Sequence, residues 1–329
     1  MSSRPRIAVI GAGVAGLTLA RQLQSMADVT VLEKSRGVGG RLATRDNPPW
    51  AFDHGAQYFT ARDTGFQALL EPLLDRGAVS DWRPRITTLS PGEKPYKRDW
   101  FEPHYVPHGA MNTFGKLLAE GLPIRTATRV TALARDGRQW WLEVDNGGAA
   151  GPFDWVVSAV PAPQAVSLLP TTFSATAALM DVLMSGCFTL MLGLNDEPDW
   201  PFDCAVVKDS PLGWLSLDHR RPGRKSAPAL LVHSSNVWAD AHLDDDDERV
   251  MADMLASLAA VLPTGAPAIV HRQLHRWRYA DVRRPLGEDF WLDPDTCLGV
   301  CGDWCIGGRV ESAFLSGDRL AKALRARLC

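Results

Sequence analysis

The chain holds only six cysteines in 329 residues, at positions 187, 204, 297, 301, 305 and 329. That is too few and too scattered to staple a small secreted fold, so a reduced, cytoplasmic setting is the expectation. A surplus of one charge is lacking too. The formal net charge is −3, which gives no global field for nucleic acid or an anionic membrane surface. No apolar run reaches the ~20 residues of a membrane span. The early stretch from Ile7 to Ala20 contains Gly11, Gly13 and Gly16 and runs into Arg21 and Gln22, unlike an export signal ending at a small-residue cleavage site. Internal repeats and low-complexity tracts are missing. Hydrophobic residues at 46% and charged residues at 22% exclude disorder, collagen and coiled coil. A chain of this length predicts roughly two domains. The twelve tryptophans are in surplus, and a large apolar pocket or stacking surface would use them.

Arg6-Ile-Ala-Val-Ile10 reads as a short buried strand, Val14 to Met26 as a helix, and Asp28 to Glu33 as a second strand, an opening β-α-β unit. Between strand and helix stands Gly11-Ala12-Gly13-Val14-Ala15-Gly16. Gly11 permits the tight turn, Gly13 lets the backbone approach a pyrophosphate, and Gly16 allows close helix–strand packing. Backbone N–H groups at the helix start face the phosphates, aided by the helix dipole. Glu33, 22 residues after Gly11, can accept from ribose hydroxyls. With a strand before, a helix after and a terminal acid, these glycines point to a dinucleotide rather than to a purely structural turn.

Further along, a helix is predicted near 110–120 and strands at 124–133, 140–145 and 154–160, with a turn at Arg135-Asp-Gly-Arg138. Residues 61–108 show no long period and suit an insertion. A second block over 163–290 holds strands at 186–194 and 229–234. It also holds a helix at 247–262, marked by Val250, Met251, Met254, Leu255, Leu258 and Leu262. The acidic run Asp244–Glu248 reads as a solvated helix start rather than a metal site. The basic segment His219-Arg-Arg-Pro-Gly-Arg-Lys225 reads as a solvent loop rather than a nucleic-acid site. A strand at 298–304 and a closing helix from Glu311 to Arg327 end the chain. Cys297, Cys301 and Cys305 are four apart and could imitate a metal cluster. They fall on a strand and turn with no fourth clustered ligand, so no metal is expected.

Which dinucleotide is set by other segments. Lys34-Ser-Arg36-Gly-Val-Gly39-Gly40-Arg41 follows Glu33 directly. Its adjacent glycines can pass a backbone along a second part of a long cofactor, and Arg41 can pair with pyrophosphate. Then come Phe52-Asp-His-Gly55-Ala56-Gln57-Tyr58 and, far away, Val300-Cys-Gly302-Asp303-Trp304 with Val310-Glu311-Ser-Ala313. Together with the cradle these segments resemble the flavin-dependent amine-oxidase superfamily. The resemblance implies FAD rather than NAD as the tightly held cofactor. Lys34, Arg36 and Gly39–Arg41 would lie along it and Gly55, Ala56 and Gln57 against it. Val130 would meet the adenine, Gly302 and Asp303 the ribityl chain, and the helix start at Val310, Glu311 and Ala313 the flavin O2 side. FAD is expected to be noncovalent, since no cysteine lies where superfamily members attach theirs.

Closer still, the chain resembles the renalase family, its bacterial branch in particular. The residues are Lys34–Arg41, Asp53-His-Gly-Ala-Gln-Tyr-Phe-Thr-Ala-Arg-Asp63, Asp209-Ser-Pro-Leu-Gly-Trp-Leu215, His233, Arg276-Trp-Arg-Tyr-Ala280 and Cys301-Gly-Asp-Trp-Cys305. This implies oxidation of isomeric dihydronicotinamides, the 2- and 6-dihydro forms of NAD(P), to NAD(P)+, with O2 converted to H2O2. The implied partners are this small dinucleotide substrate and O2, with no nucleic acid and no membrane.

The chemistry fits. A dihydropyridine is already a hydride donor and needs no general base, only a flavin N5 within reach, a flat slot and polar groups on the carboxamide. An amine must be neutral to react, and amine oxidases commonly place a lysine near N5. The strand Ser185–Gly193 has none, while Lys208 and Lys225 lie in loop-like segments. The catalytic candidates are His233, Trp277, Tyr58 and Gln57. His233 is either a core histidine or a pocket group, Trp277 either stacks on a ring or fills core, and Trp214 and Trp304 are walls or packing. The expected fold is α/β. A Rossmann-type FAD-binding domain of the p-hydroxybenzoate hydroxylase and amine-oxidase kind is assembled from 1–60, 104–162 and 294–329. A sheet-based substrate domain comes from 61–103 and 163–293. Two rival functions stand beside this one: an amine or other small-molecule oxidase, and a flavin-binding redox sensor without turnover.

Overall fold

The computed structural model describes residues 4–145, 147–262 and 267–328. Residues Ile7, Ala8 and Val9 have no solvent exposure, the mark of a strand covered on both faces. Their strand, Arg6–Ile10, lies inside a six-stranded sheet in the order Trp291–Asp293, Leu298–Val300, Trp155–Ser158, Arg6–Ile10, Asp28–Leu32, Ile124–Arg125. All neighbours are parallel except the first pair. One face is covered by the helices Val14–Leu23 and Val310–Leu328. They cross closely: a Cβ on Gly317 would stand 2.3 Å from the Ala15 carbonyl oxygen. The other face carries a three-stranded antiparallel layer, Val130–Asp136, Gln139–Val144 and Ala149–Phe153. It packs Leu142 and Phe153 against Ala8 and Ile10.

A second sheet has seven strands, in the order Ile269–Arg284, Leu183–Leu194, Ala229–Ser234, Leu212–Leu217, Cys204–Val207, Ile86–Leu89, Tyr96–Lys97. Its period of two separates its faces. Phe188, Leu190, Leu192, Leu230 and Val232 meet Val250, Met254 and Leu258 of the helix Asp247–Val261. Alternate residues point the other way, where Met191 and Leu231 pack on Phe52 and Thr189 Oγ1 donates to the His54 carbonyl at 2.9 Å. That second face looks onto the segment 52–58.

Several expectations shift. The stretch 61–108 is built of the helix Thr64–Asp75 and the strands Val79–Asp81, Ile86–Leu89, Tyr96–Lys97 and Tyr105–Pro107. The run 124–133 divides between two sheets. The last strand stops at Val300, so Asp303 opens a short helix, Asp303–Ile306, instead of ending a strand. The acidic run is a helix start as read: Asp246 accepts from the N–H groups of Glu248 and Arg249. It also does more, since Asp244 and Asp247 pair with Arg278 and Arg276. The basic segment 219–225 is the clearest correction. Arg221 is 5% exposed and the Arg224 side chain 3%. Both are inside the protein, because buried carboxylates wait for them there. Among the described residues no helix is long and apolar enough to cross a membrane, and no group of three His, Cys, Asp or Glu is arranged to hold a metal ion.

Candidate active site

The glycine turn folds as its sterics demand. Gly11 has φ +105°, a conformation that glycine adopts freely. A Cβ on Gly16 would stand 2.1 Å from the Gly11 carbonyl oxygen. Gly13 differs. Its φ of −78° and ψ of 179° suit any residue, and a Cβ there would meet nothing within 4 Å. No packing in the protein requires that glycine, so the space in front of it is a cradle that a side chain would fill.

Gly39 and Gly40 close the cradle from the other side. Gly39 donates its N–H to the Ala12 carbonyl at 2.8 Å, and a Cβ on Gly40 would lie 3.3 Å from the Gly13 Cα. Glu33 is buried; its carboxylate accepts from the Ala12 N–H at 2.7 Å and the Ser35 N–H at 2.8 Å, which sets its orientation and leaves lone pairs for ribose hydroxyls. Lys34 and Arg36 are exposed at this rim. Val130 is buried where the three-stranded layer meets Leu32. Glycine-lined space at a helix start and a fixed acid fit a dinucleotide.

The remaining segments converge on the same line. Arg41 donates to Asp303 Oδ1 at 2.5 Å and to the Ala280 carbonyl at 3.3 Å. It ties the Gly-Gly-Arg segment to the Gly302-Asp303 turn and to the long strand of the second sheet. Ala56 donates its N–H to the Arg41 carbonyl at 2.9 Å, and Gly55 is a glycine because a Cβ would overlap that carbonyl. The Gly302 N–H donates to Ser316 Oγ at 2.9 Å. Val310 and Ala313 lie in the first turn of the last helix. Glu311 stands there too, but its Oε1 accepts from the N–H groups of Arg62 and Asp63 at 2.5 and 2.6 Å, so it anchors that loop.

Facing this line is the polar side of the seven-stranded sheet. The His54 carbonyl accepts from Trp277 Nε1 at 2.8 Å as well as from Thr189. The His54 ring stacks 5.4 Å from Trp277, and His275 stands edge-on to both. His233 is paired across strands with Thr189 and Trp214 and lies near the His54 backbone. Its Nε2 and the His54 Nδ1 are shut off from solvent and have no protein partner. Burial pulls all three imidazoles down: His54 to about 3, helped by His275 and Arg45, His233 to about 4, helped by Arg221, and His275 to about 4, helped by Arg45. All three are neutral at pH 7.

Tyr58 belongs to a different wall, with Trp100 at 5.0 Å, His104 at 4.3 Å and Trp214 at 5.9 Å; burial raises its phenol. Gln57, expected in the pocket, has its carboxamide engaged within the protein. Its Nε2 donates to the Asp53 and Gly55 carbonyls and its Oε1 accepts from Trp214 Nε1 and Arg221. That is the full complement of a carboxamide, so Gln57 holds the segment in place. Trp304 is packing, 1% exposed, with Nε1 on the Val160 carbonyl. His54, Thr189 and His275 escaped the sequence reading. The alternation Gln273, His275, Trp277 was the signal for the last.

Comparison with known proteins identifies the family. Residues 98–325 match the family model for flavin containing amine oxidoreductase, and residues 9–73 that for an NAD(P)-binding Rossmann-like domain. Mouse renalase is 25% identical over 300 residues, covering 84% of this chain and 85% of that protein. Among solved structures, a provisionally named protoporphyrinogen oxidase from Exiguobacterium sp. 255-15 superposes with a TM-score of 0.77 at 13% identity, over 99% of this chain and 100% of that one. A putrescine oxidase bound to putrescine gives 0.74 at 14% identity, over 98% and 99%. These structural likenesses speak for the fold. The chain belongs to the flavin-containing amine oxidoreductase family, as a renalase-like, flavin-dependent oxidoreductase.

Proposed function

We propose that the protein is an FAD-dependent oxidase of 2- and 6-dihydro-NAD(P), producing NAD(P)+ and H2O2. The supporting observation is the sheet face over residues 53–58, which carries Trp277, His275 and His233. The strand beside them, Leu183–Leu194, has neither lysine nor carboxylate. FAD, held noncovalently along Gly11–Gly16, Glu33, Gly39–Arg41, Val130 and Asp303, would supply a hydride acceptor at N5 and pass the electron pair on to O2.

The protein's own part is placement. A flat dihydropyridine fits against Trp277, whose ring is held by the hydrogen bond to the His54 carbonyl. Loss of a hydride leaves a cationic pyridinium. Neutral imidazoles do not repel it, and an indole face favours it. The unpartnered His233 Nε2 is the polar group available to the carboxamide. An amine substrate would arrive as a cation and call for a free carboxylate, yet the buried acids Asp53 and Asp218 are already taken by Arg221 and Arg224. We further propose that residues 1–60, 104–162 and 294–329 form the FAD-binding unit and 61–103 and 163–293 the substrate unit.

Anaerobic mixing with each dihydronicotinamide isomer, with ordinary NADH and with benzylamine or a catecholamine tests the reading. The isomers should bleach the flavin fastest, and aerobic turnover should give one H2O2 per dinucleotide. Faster bleaching by an amine would replace this reading with the amine-oxidase one. Bleaching of the flavin without aerobic turnover would favour a redox sensor. Acid precipitation should leave all the colour in the supernatant; colour in the pellet would refute noncovalent binding.

A further inference from the structure

The glycine cradle serves the cofactor, so a dinucleotide substrate needs a second place for its own phosphates. A cavity of about 800 Å³ lies beside the candidate site, within the size range of a nucleotide-sized ligand, roughly 300–1,000 Å³. Its lining includes the cations Arg83, Lys97 and Arg98 and the rings of Trp100 and Phe101, together with the carboxylates of Asp81, Asp99 and Glu102, the last paired with Arg62. It abuts the substrate face through aromatic rings: Trp100 lies 5.0 Å from Tyr58, Tyr58 lies 5.9 Å from Trp214, and Trp214 pairs across strands with His233.

The cations there are available. Arg83 is 86% exposed and pairs with Asp81 at 2.7 Å; Lys97 is 84% exposed and pairs with Asp99 at 3.2 Å. Exposed pairs of this kind contribute little, so exchanging the carboxylate for a phosphate, which takes arginine bidentately, is favoured. Arg98 has no ion pair among the described residues. Phe101 is 97% exposed, a large apolar ring with no packing to account for it and a face free for stacking.

We propose that this cavity binds the ADP half of a dinucleotide substrate, with Arg83, Lys97 and Arg98 around the pyrophosphate, Phe101 against the adenine, and Tyr58 at the junction with the redox slot. The inference rests on the dihydronicotinamide reading for the identity of the other half, but the site itself is testable alone.

Two measurements on the flavin-loaded protein decide it. ADP-ribose is titrated calorimetrically into the wild type, the Arg83→Ala/Arg98→Ala double variant and Phe101→Ala. KM and kcat are measured for 6-dihydro-NAD and for the phosphate-free dihydronicotinamide riboside. The double variant should bind ADP-ribose at least about tenfold more weakly and raise KM for the dinucleotide by a similar factor. Its kcat and its kinetics with the riboside should not change. Phe101→Ala should weaken ADP-ribose binding, and the wild-type affinity should fall with added salt. Equal ADP-ribose affinity in wild type and double variant, or no binding to the wild type, overturns the site even if both reductants are oxidised. If instead ADP-ribose binding is lost in the variants while no dihydronicotinamide reduces the flavin, the site stands and the substrate reading falls. Arg98→Glu, a surface change, repeats the test with opposite charge should the double variant bind less flavin.

Discussion

Arg221 donates from Nε to Asp218 Oδ1 at 3.0 Å, with the two side chains 3% and 0% exposed. The pair is the centre of a neutral network. Asp218 Oδ2 accepts from the Asp53 N–H at 2.6 Å, Asp53 pairs with Arg224, and Arg221 Nη1 donates to the Gln57 carbonyl at 2.7 Å. Through these contacts a loop of the seven-stranded sheet holds the segment 53–57 that faces both the cofactor line and the substrate face.

Arg221→Ala should therefore be among the most costly single changes in the protein. Removing one partner of a buried ion pair leaves an uncompensated charge, at about 3–5 kcal/mol. Denaturant unfolding of the flavin-free protein should show it, and Arg221→Ala combined with Asp218→Ala should lose less than Arg221→Ala alone. A loss below about 1 kcal/mol would mean the network is a bystander.

Acid should destabilise the fold in two windows. His54, His233 and His275 have folded pKa values lowered from 6.5 to about 3, 4 and 4. The unfolded chain thus binds more protons as pH falls below 6.5, and the stability these groups carry is full above that value and lost on the way to their folded values. Each can contribute a slope of at most about 1.4 kcal/mol per pH unit. Burial alone would raise Asp53, but Arg221 and Arg224 outweigh it and hold it below 3.8, so its share is lost only at lower pH still. Melting temperatures from pH 7.5 to 4.5 should fall, with a shallower fall in His275→Gln. An identical slope in that variant would remove His275 from the account.

Gly13→Ala and Gly16→Ala should separate ligand binding from folding. The Gly13 Cβ meets nothing in the protein and its backbone is ordinary, so the flavin-free variant should melt as wild type while flavin occupancy drops at least about tenfold. The Gly16 Cβ meets the Gly11 carbonyl oxygen at 2.1 Å, so that variant should lose stability before any cofactor is added. Full flavin occupancy in Gly13→Ala would reassign the cradle.

His233→Ala and Trp277→Ala should slow reduction of the flavin by a dihydronicotinamide while leaving flavin content intact. A misplacement of about 1 Å at the reacting carbon can cost on the order of a hundredfold in rate. Trp277→Phe should recover part of the rate, because it keeps a ring while losing the donor to the His54 carbonyl. Unchanged rates in both alanine variants would remove these residues from the substrate site.

The opening β-α-β unit and its glycine turn were legible in the residues because their causes are local: an apolar run of strand length, a helical period, and glycines whose neighbours in space are near neighbours in sequence. Gly16 meets Gly11, five positions away. The helix Asp247–Val261 was legible for the same reason, its apolar residues falling on one face. The basic segment 219–225 was not. Its composition is that of a solvent loop, and only the fold brings Asp53 to Arg224, across 171 positions. The same holds for Gln57, which the motif placed beside the flavin and which the structure fills with partners from 214 and 221. The strand Ile269–Arg284 hid behind its arginines and histidines, whose partners lie on the helix start at 244–247 and on the loop at 54. Backbone sterics and periodicity act over a few residues and are written in order along the chain. The pairing of a buried charge depends on which distant carboxylate the packing delivers, and that was decided only when the two sheets closed on each other.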